Sequence, residues 1–244
     1  MHETTRSPQG HPFGPLHIAE VLQLVQASVP IQRRLVRADD VVIHAGQPFA
    51  NLYIVNTGFY KLVSLSGEGR EQVVGLHFKG DWMGLDGIAG GHYGSEAVAL
   101  DTGEIWAVSY EALLQAAMST PALLVAMHSA MSRELVRDHE ALLSLCTLPA
   151  DARVAGFLRY WAAALEQRGL RTDHVTLRMS RAEIGNYLGM TLETVSRALS
   201  RMARGEVIHF AEKGRREIHI PQVQALTSFI QDVCATPVGA ATLR

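Results

Sequence analysis

The chain of 244 residues is 48% hydrophobic and carries a formal net charge of −2, so it is long and apolar enough to form two domains. It contains no run of eighteen apolar residues, and residues 1–15 lack an apolar signal core, which excludes a membrane span and a secretory leader and predicts a cytoplasmic protein. The two cysteines, Cys146 and Cys234, are too few and too far apart for a disulfide framework.

The first half of the chain has the pattern of an all-β domain. Residues 1–15 are predicted to be a flexible tail, and residues 16–29 a helix. From residue 35 to residue 108, short apolar runs such as NLYIVNTGFYKLVSL and EQVVGLHF alternate with turn clusters rich in Gly, Asn, Asp and Ser. This pattern predicts a roll of short antiparallel strands, either a barrel or a sandwich, in a domain that covers residues 16–120.

A longer helix is predicted at residues 121–146, and its apolar positions follow a heptad. Alternating steps of four and three residues are typical of the seam of a parallel two-stranded coiled coil, which predicts a homodimer. The alternative is that this stripe packs against the β domain of its own chain. The seam positions are Leu124, His128, Met131, Leu135, Asp138, Leu142 and Leu145.

Asp138 is the exceptional member of this seam. Two symmetry-related carboxylates would repel each other there, and burying them without partners is costly. Arg137 or Arg133 is expected to neutralise them. If they do not, Asp138 weakens the dimer, and a signal could then adjust dimer assembly. The alternative is that Asp138 faces solvent.

The segment RMSRAEIGNYLGMTLETVSRALSRMAR, residues 178–204, has the pattern of two short amphipathic helices joined at Gly189. Ser180 and Glu183 are spaced as a capping box before the first helix, and the Thr191 hydroxyl can cap the second. The free N–H groups of the second helix can then bind a phosphate. We therefore predict a helix-turn-helix that binds duplex DNA; the alternative is an ordinary helical hairpin with a solvated charged face.

The faces that remain beside the apolar stripe carry side chains suited to DNA. Arg197 can donate two hydrogen bonds to guanine, Glu193 can accept one from cytosine, and serine can bond to a base or a phosphate. Glu193 and Arg197, four residues apart, are also expected to form an ion pair. The predicted DNA-binding residues are Ser180, Thr191, Glu193, Thr194, Ser196, Arg197, Ser200 and Arg201.

Charge and strand pattern support a DNA-binding segment locally. Residues 171–216 contain nine Lys and Arg against five Asp and Glu, a net charge of +4 within a chain of net charge −2. Alternating residues at 207–210 and 217–220, around a turn at 212–215, predict a hairpin, or wing. Its basic tip either contacts phosphate or is solvated.

The order of these parts resembles the cyclic AMP receptor protein and FNR (CRP/FNR) superfamily of bacterial transcription regulators. A β-roll at 16–120 and a dimerisation helix at 121–146 precede a winged helix-turn-helix at 147–230 and a tail at 231–244. The motifs GLHFKGDWMGLDGIAGGHYGSEAVAL and AEIGNYLGMTLETVSRALSRM are most similar to the FNR branch. The resemblance implies an α+β fold with a cyclic-nucleotide-binding-like roll and the absence of catalysis.

The resemblance also implies partners. In FNR-type proteins, the Glu, Ser and Arg that correspond to Glu193, Ser196 and Arg197 contact a TTGAT half-site. A homodimer of this protein would therefore bind double-stranded DNA at a palindrome close to TTGAT-N4-ATCAA, and it would contact RNA polymerase. Asp138 matches a position where FNR-type proteins carry aspartate, which is consistent with an adjustable dimer.

The sequence departs from two sensors of this family. The [4Fe–4S] cluster of FNR-type sensors needs three cysteines near the N-terminus and one in the roll, but residues 1–36 contain none and the fourth position is Trp106. Cyclic-nucleotide sensors use a Glu on the ribose and an Arg-Ser pair on the phosphate. The matching positions are Leu85, Ser95 and Glu96, and Glu96 would repel the phosphate.

Haem is the remaining cofactor of the family, with His44, His77 or His92 as candidate axial ligands. We expect no cofactor and no metal ligand, because a single histidine in a strand is more often structural. The alternative from another class is a cupin-like metal enzyme, which typically begins with an H-x-H pair that this chain lacks. An architectural DNA binder without sequence preference is the other alternative.

Overall fold

The computed structural model describes residues 16–211 and 216–235, so the predicted N-terminal tail and the turn at 212–215 lie outside the described residues. The helices are α1 (Ile18–Ser28), α2 (Gly87–Gly90), α3 (Tyr110–Ser119), α4 (Ala122–Thr147), α5 (Ala150–Glu166), α6 (Arg181–Tyr187), α7 (Leu192–Arg204) and α8 (Val223–Ala235). Among them, none combines the length and the apolar character that a bilayer crossing requires.

The strands form three sheets. They are β1 (Gln32–Val36), β2 (Val41–Ile43), β3 (Asn51–Thr57), β4 (Tyr60–Leu65), β5 (Glu71–His77), β6 (Trp82–Met83), β7 (Glu96–Ala99), β8 (Gly103–Ser109), β9 (His174–Thr176), β10 (His209–Phe210) and β11 (Glu217–His219). Strands β1 to β8 make two four-stranded antiparallel sheets, ordered β1-β8-β3-β6 and β2-β7-β4-β5. The predicted antiparallel roll is confirmed, and it is a two-sheet sandwich.

The core of the roll lies between these two sheets. Val55 and Ile105 from the first sheet and Tyr60 and Ala97 from the second belong to one fully buried cluster. In β4 and β7, buried positions alternate with more exposed ones, as the period-two geometry of a strand requires. In β3 and β8, four consecutive residues are buried, because helices cover the outer face of the first sheet.

Helices α1, α3 and the first half of α4 pack on the outer face of the first sheet. The predicted helix at 16–29 is confirmed as α1. On α4, Leu123, Met127 and Ala130 recur at spacings of four and three and are buried against the roll with Val25 of α1. This buried stripe on α4 is distinct from the predicted heptad seam.

The apolar side chains of the predicted seam in the second half of α4 face solvent in the single chain. Leu135 and Leu142 are 56% and 61% exposed, and Met131 and Leu145 are also exposed. Leu124, at the other end of the seam, is half-buried and packs partly against the roll. An exposed apolar stripe of this length is typical of an interaction surface.

The C-terminal domain consists of α5 to α8 and the three-stranded antiparallel sheet β10-β11-β9. Strands β10 and β11 are the predicted wing, while β9 was not predicted. The C-terminal tail was predicted to begin at residue 231, and α8 continues to Ala235. Phe229 and Ile230 of α8 pack against the buried core of this domain.

The two domains share a continuous apolar core at their junction. Phe78, which follows β5, makes an edge-to-face contact with Trp161 of α5 at 5.3 Å between ring centroids, and Phe59 stacks on the same ring at 5.6 Å. Val73 and Leu76 of β5 belong to the same buried cluster. These contacts hold the C-terminal domain in a defined orientation on the roll.

Candidate nucleic-acid interface

Helices α6 and α7 meet at the predicted corner. Gly189 has a φ of +62°, in the left-handed region that favours glycine. At Gly185, an added Cβ would lie only 2.5 Å from the carbonyl oxygen of Met190. The close approach of the two helices therefore depends on these two glycines.

The predicted helix caps are confirmed. The Ser180 hydroxyl accepts a hydrogen bond from the Glu183 N–H at 3.2 Å, and the Glu183 carboxylate accepts one from the Ser180 N–H at 2.7 Å. At α7, the Thr191 hydroxyl accepts a hydrogen bond from the Thr194 N–H at 3.2 Å, and the two threonine hydroxyls lie 3.0 Å apart. Each cap satisfies an N–H group that the helix itself leaves unpaired.

The outer face of α7 is open to solvent. Val195, Leu199 and Met202 are buried in the domain core, so the opposite face of the helix points outward. Glu193 and Arg197 lie on that face with side chains 70% and 69% exposed, and the predicted ion pair between them is present at 2.9 Å. This pair holds both head groups in place without covering them.

Besides the capping residues and the Glu193–Arg197 pair, two more predicted DNA-binding residues have partners within the protein. Arg201 donates a 2.6 Å hydrogen bond from Nε to the Asp151 carboxylate of α5, and a second one from its Nη2. The Ser200 hydroxyl donates to the carbonyl oxygen of Ser196 in the preceding turn at 2.8 Å. Contact with DNA by either side chain would have to replace these bonds, whereas Glu193 and Arg197 need no such exchange.

A concave surface of about 810 Å³ lies between α7 and strand β10. It brings together five of the predicted residues with one cation that sequence reasoning did not single out, Arg204. The spacing of seven residues from Arg197 could have revealed it, since residues seven apart share a helix face. The lining residues are Glu193, Ser196, Arg197, Ser200, Arg201, Ala203, Arg204 and Phe210.

Polar contacts join helix α6 to the edge strand of the roll, and the Asn186 side chain makes two of them. The Asn186 side-chain oxygen accepts a hydrogen bond from the Val73 N–H at 2.6 Å, and its amide donates to the Glu71 carbonyl oxygen at 2.8 Å. Asn186 thus satisfies two backbone groups of β5 that an edge strand leaves unpaired. Lys61 also forms an ion pair with Glu183. Helix α7 therefore stays exposed, while α6 is held against the roll.

A buried carboxylate, Asp81, joins three parts of the chain. Asp81 follows β5, and its Oδ2 accepts hydrogen bonds or ion-pair contacts from Phe78 N at 2.9 Å, Arg137 of α4 at 3.0 Å and Arg168 after α5 at 3.3 Å. Burial raises the pKa of Asp81, but the two guanidinium groups outweigh this effect and hold the pKa below its usual value. The carboxylate is therefore ionised and couples roll, long helix and C-terminal domain.

The same contact corrects an expectation about the seam. Arg137 or Arg133 was expected to neutralise Asp138, and of these two the Arg137 guanidinium binds Asp81 instead. Asp138 itself is exposed in the single chain. Any neutralisation of two Asp138 carboxylates in a dimer would have to come from another group, because Arg137 already has a buried partner.

Comparison with known proteins assigns the two domains to known families. The Crp-like helix-turn-helix domain family matches residues 152–229, and the cyclic nucleotide-binding domain family matches residues 33–120. The transcriptional activator protein Anr of Pseudomonas protegens is 36% identical over 187 residues, which cover 77% of this chain and 75% of that protein. The chain belongs to the CRP/FNR family of transcription regulators.

Further relatives agree with this assignment. The fumarate and nitrate reduction regulatory protein of Escherichia coli K12 is 33% identical over 192 residues, covering 79% of this chain and 74% of the relative. The structure of FixK2 from Bradyrhizobium japonicum has a TM-score of 0.72 at 28% identity and covers 85% of this chain and 99% of its own. The CRP/FNR regulator described here therefore binds DNA and is not an enzyme, which removes the cupin-like alternative.

The structure places the three positions of this CRP/FNR regulator that were compared with cyclic-nucleotide sensors. Leu85 is buried in the apolar core rather than presented as an acceptor. The Ser95 hydroxyl lies 2.8 Å from the Ser64 hydroxyl, and Glu96 is half-buried at the start of β7.

The three candidate haem ligands lie in different environments. His44 and His92 are exposed, whereas His77 is buried at the end of β5. Burial lowers the pKa of His77 to about 4, and Arg137 acts in the same direction, so the imidazole is neutral at physiological pH. Its Nδ1 has no hydrogen-bond partner among the described residues. The structure does not bring these three histidines to one site.

Proposed function

We propose that this regulator acts as a homodimer that binds a palindrome close to TTGAT-N4-ATCAA and contacts RNA polymerase at promoters. The observation that carries the proposal is the open face of α7, with Glu193, Ser196 and Arg197 in the E-T-V-S-R pattern of the FNR branch. The pattern supports the half-site sequence, and the exposure supports entry of α7 into the major groove.

The chemistry of the three side chains matches the central G·C pair of a TTGAT half-site. Arg197 can donate two hydrogen bonds to O6 and N7 of guanine, and Glu193 can accept one from the N4 amine of the paired cytosine. The 2.9 Å ion pair between them restricts the rotamers of both. Less side-chain freedom is then lost when the helix docks.

The exposed half of α4 supports the homodimer. Leu135 and Leu142 are more than half exposed at the predicted seam, and Val136 and Leu143 line a cleft of about 1220 Å³ beside it. A second copy of the helix would bury these side chains, at about 25 cal/mol for each Å² of apolar surface removed from water. Two copies of α7 would then face the same side of the DNA.

A competition assay tests the proposed specificity. A labelled duplex that contains TTGAT-N4-ATCAA is bound at fixed salt, since affinity depends strongly on salt, and is displaced by the same unlabelled duplex or by one with permuted half-sites. We expect the permuted duplex to compete at least about a thousandfold less well. Equal competition by the two duplexes would instead identify an architectural DNA binder.

We further propose that the regulator uses neither an iron–sulfur cluster nor haem. Its only cysteines, Cys146 at the end of α4 and Cys234 in α8, are exposed and lie outside the roll. A four-thiolate site cannot be built from them within one chain. Protein purified without oxygen is expected to show no visible absorption band, and a haem or cluster band of one equivalent per chain would contradict this proposal.

A further inference from the structure

Three histidines form one row across the small sheet of the C-terminal domain. In the strand register, His219 of β11 lies opposite His174 of β9 on one side and opposite His209 of β10 on the other. Residues directly opposite each other in neighbouring strands have Cβ atoms about 4.5–5.5 Å apart. Their neighbours Val175 and Ile218 are buried, so the histidines lie on the outer face of the sheet.

The distances within this row are short. The ring centroids of His174 and His219 are 4.8 Å apart, and those of His209 and His219 are 5.9 Å apart. Asp173, next to His174, completes the cluster, because one ligand atom from each of Asp173, His174 and His219 lies within 4.8 Å of the others. We refer to these three residues as the Asp-His-His cluster.

The geometry of the cluster leaves ligand atoms accessible from one side of the sheet. Asp173 accepts hydrogen bonds from Arg171 at 3.0 and 2.7 Å, which hold its carboxylate beside the two imidazoles, so a bound ion would share this carboxylate with Arg171. His174 is exposed and His219 is half-buried, and a neutral imidazole donates a ring lone pair to a metal.

We propose that the Asp-His-His cluster binds a divalent transition-metal ion of the zinc class. Two imidazoles and one carboxylate are a typical ligand set for Zn²⁺, while Mg²⁺ and Ca²⁺ prefer oxygen ligands. Zinc–ligand bonds of about 2.0–2.2 Å require the three ligand atoms to approach to roughly 3.4 Å, which side-chain rotation alone can provide. His209 or a water completes a tetrahedral site.

The position of the cluster gives the ion a role in the interface. Asp173 and His174 precede the helix-turn-helix, and His219 ends the second strand of the wing, so one ion ties together the strands on both sides of α6 and α7. His209 and His219 lie on the two strands of the wing itself, and His209 comes five residues after the end of α7, on the strand that lines the concave surface beside the recognition helix. Metal binding would therefore stiffen the base of the wing relative to α7.

Calorimetric titration of the chelator-treated full-length protein with ZnCl₂ tests this site. We expect one zinc ion per chain with micromolar affinity and no binding of MgCl₂ under the same conditions. The double variant His174→Ala/His219→Ala is expected to bind zinc at least tenfold more weakly. The control His44→Ala/His92→Ala removes two exposed histidines of the roll and is expected to bind zinc as the unaltered protein does.

Cobalt absorption is a second measurement that distinguishes metal binding at this cluster from binding at the cysteines or at other histidines. Co²⁺ in a tetrahedral site with nitrogen ligands has visible absorption bands, which should be present in the protein and in the His44/His92 control but absent from the His174/His219 variant. Circular dichroism confirms that the variant is folded. The proposal is overturned if the unaltered protein binds no zinc at millimolar concentration, or if the His174/His219 variant binds zinc and cobalt as the control does.

Discussion

The variant Arg197→Ala is expected to lose about 1–3 kcal/mol of binding free energy at each TTGAT half-site, or about 2–6 kcal/mol for a dimer on the whole palindrome. The reason is that its guanidinium is exposed on α7 and is placed by Glu193 for a two-bond contact with guanine. Removal of Arg197 also leaves Glu193 without this partner. The variant should lose affinity for the palindrome but keep its affinity for unrelated duplex DNA.

The matched control for this experiment is Arg204→Ala. Arg204 lies on the same helix and lines the same concave surface, but it is in the last turn, away from the N-terminal turns that reach base edges. Loss of a phosphate contact there should weaken binding to the palindrome and to the permuted duplex alike. If Arg197→Ala also weakens both duplexes equally, Arg197 does not contact bases.

The variant Asp81→Ala is expected to lower the free energy of unfolding by about 3–5 kcal/mol, because it leaves two partly or fully buried guanidinium groups without their shared carboxylate. Arg168 is 6% exposed and Arg137 is 25% exposed at the side chain, so water cannot replace the lost partner fully. Urea denaturation monitored by tryptophan fluorescence measures the change.

The control is Asp101→Ala, which removes the partner of Arg178 at another contact between the roll and the C-terminal domain. That pair is 2.9 Å long but about a third exposed, so its loss should cost less than about 1 kcal/mol. If Asp81→Ala and Asp101→Ala lower the free energy of unfolding equally, Asp81 contributes no more to stability than an exposed ion pair does.

The difference in stability between the unaltered protein and Asp81→Ala should also depend on pH. The pKa of Asp81 is held below its usual value of about 3.9 in the folded protein. The unaltered protein should therefore have the full extra free energy of unfolding above about pH 3.9, and it should lose this extra stability as the pH falls through the pKa of the folded protein.

The helix-turn-helix could be predicted in detail because its determinants are local. The Ser180 and Glu183 capping box, the Thr191 cap and the Glu193–Arg197 pair each join residues three or four apart, and such contacts depend on little beyond the helix itself. The strands of the roll were predictable for the same reason, since a short apolar run and the turn residues that bound it lie close together in the sequence.

Other features depend on residues far apart in the sequence, and no short pattern predicts them. Arg201 lies fifty positions from Asp151, and Asn186 more than one hundred from β5, so their partners became visible only in the folded chain. The histidine row is of the same kind, because His174, His209 and His219 lack the spacing of a metal motif but share one sheet register. The heptad on α4 was visible in the sequence, but the second, buried stripe beside it was not distinguished.

The most direct test of the account varies the distance between the two half-sites. If two copies of α7 bind one face of the DNA, affinity should be highest for the four-base-pair spacer of TTGAT-N4-ATCAA. Insertion of about five base pairs, half a helical turn, should lower it to the affinity of a single half-site, because the half-sites then face opposite sides of the duplex. Equal affinity for both spacers would contradict a dimer that places two recognition helices on a palindrome.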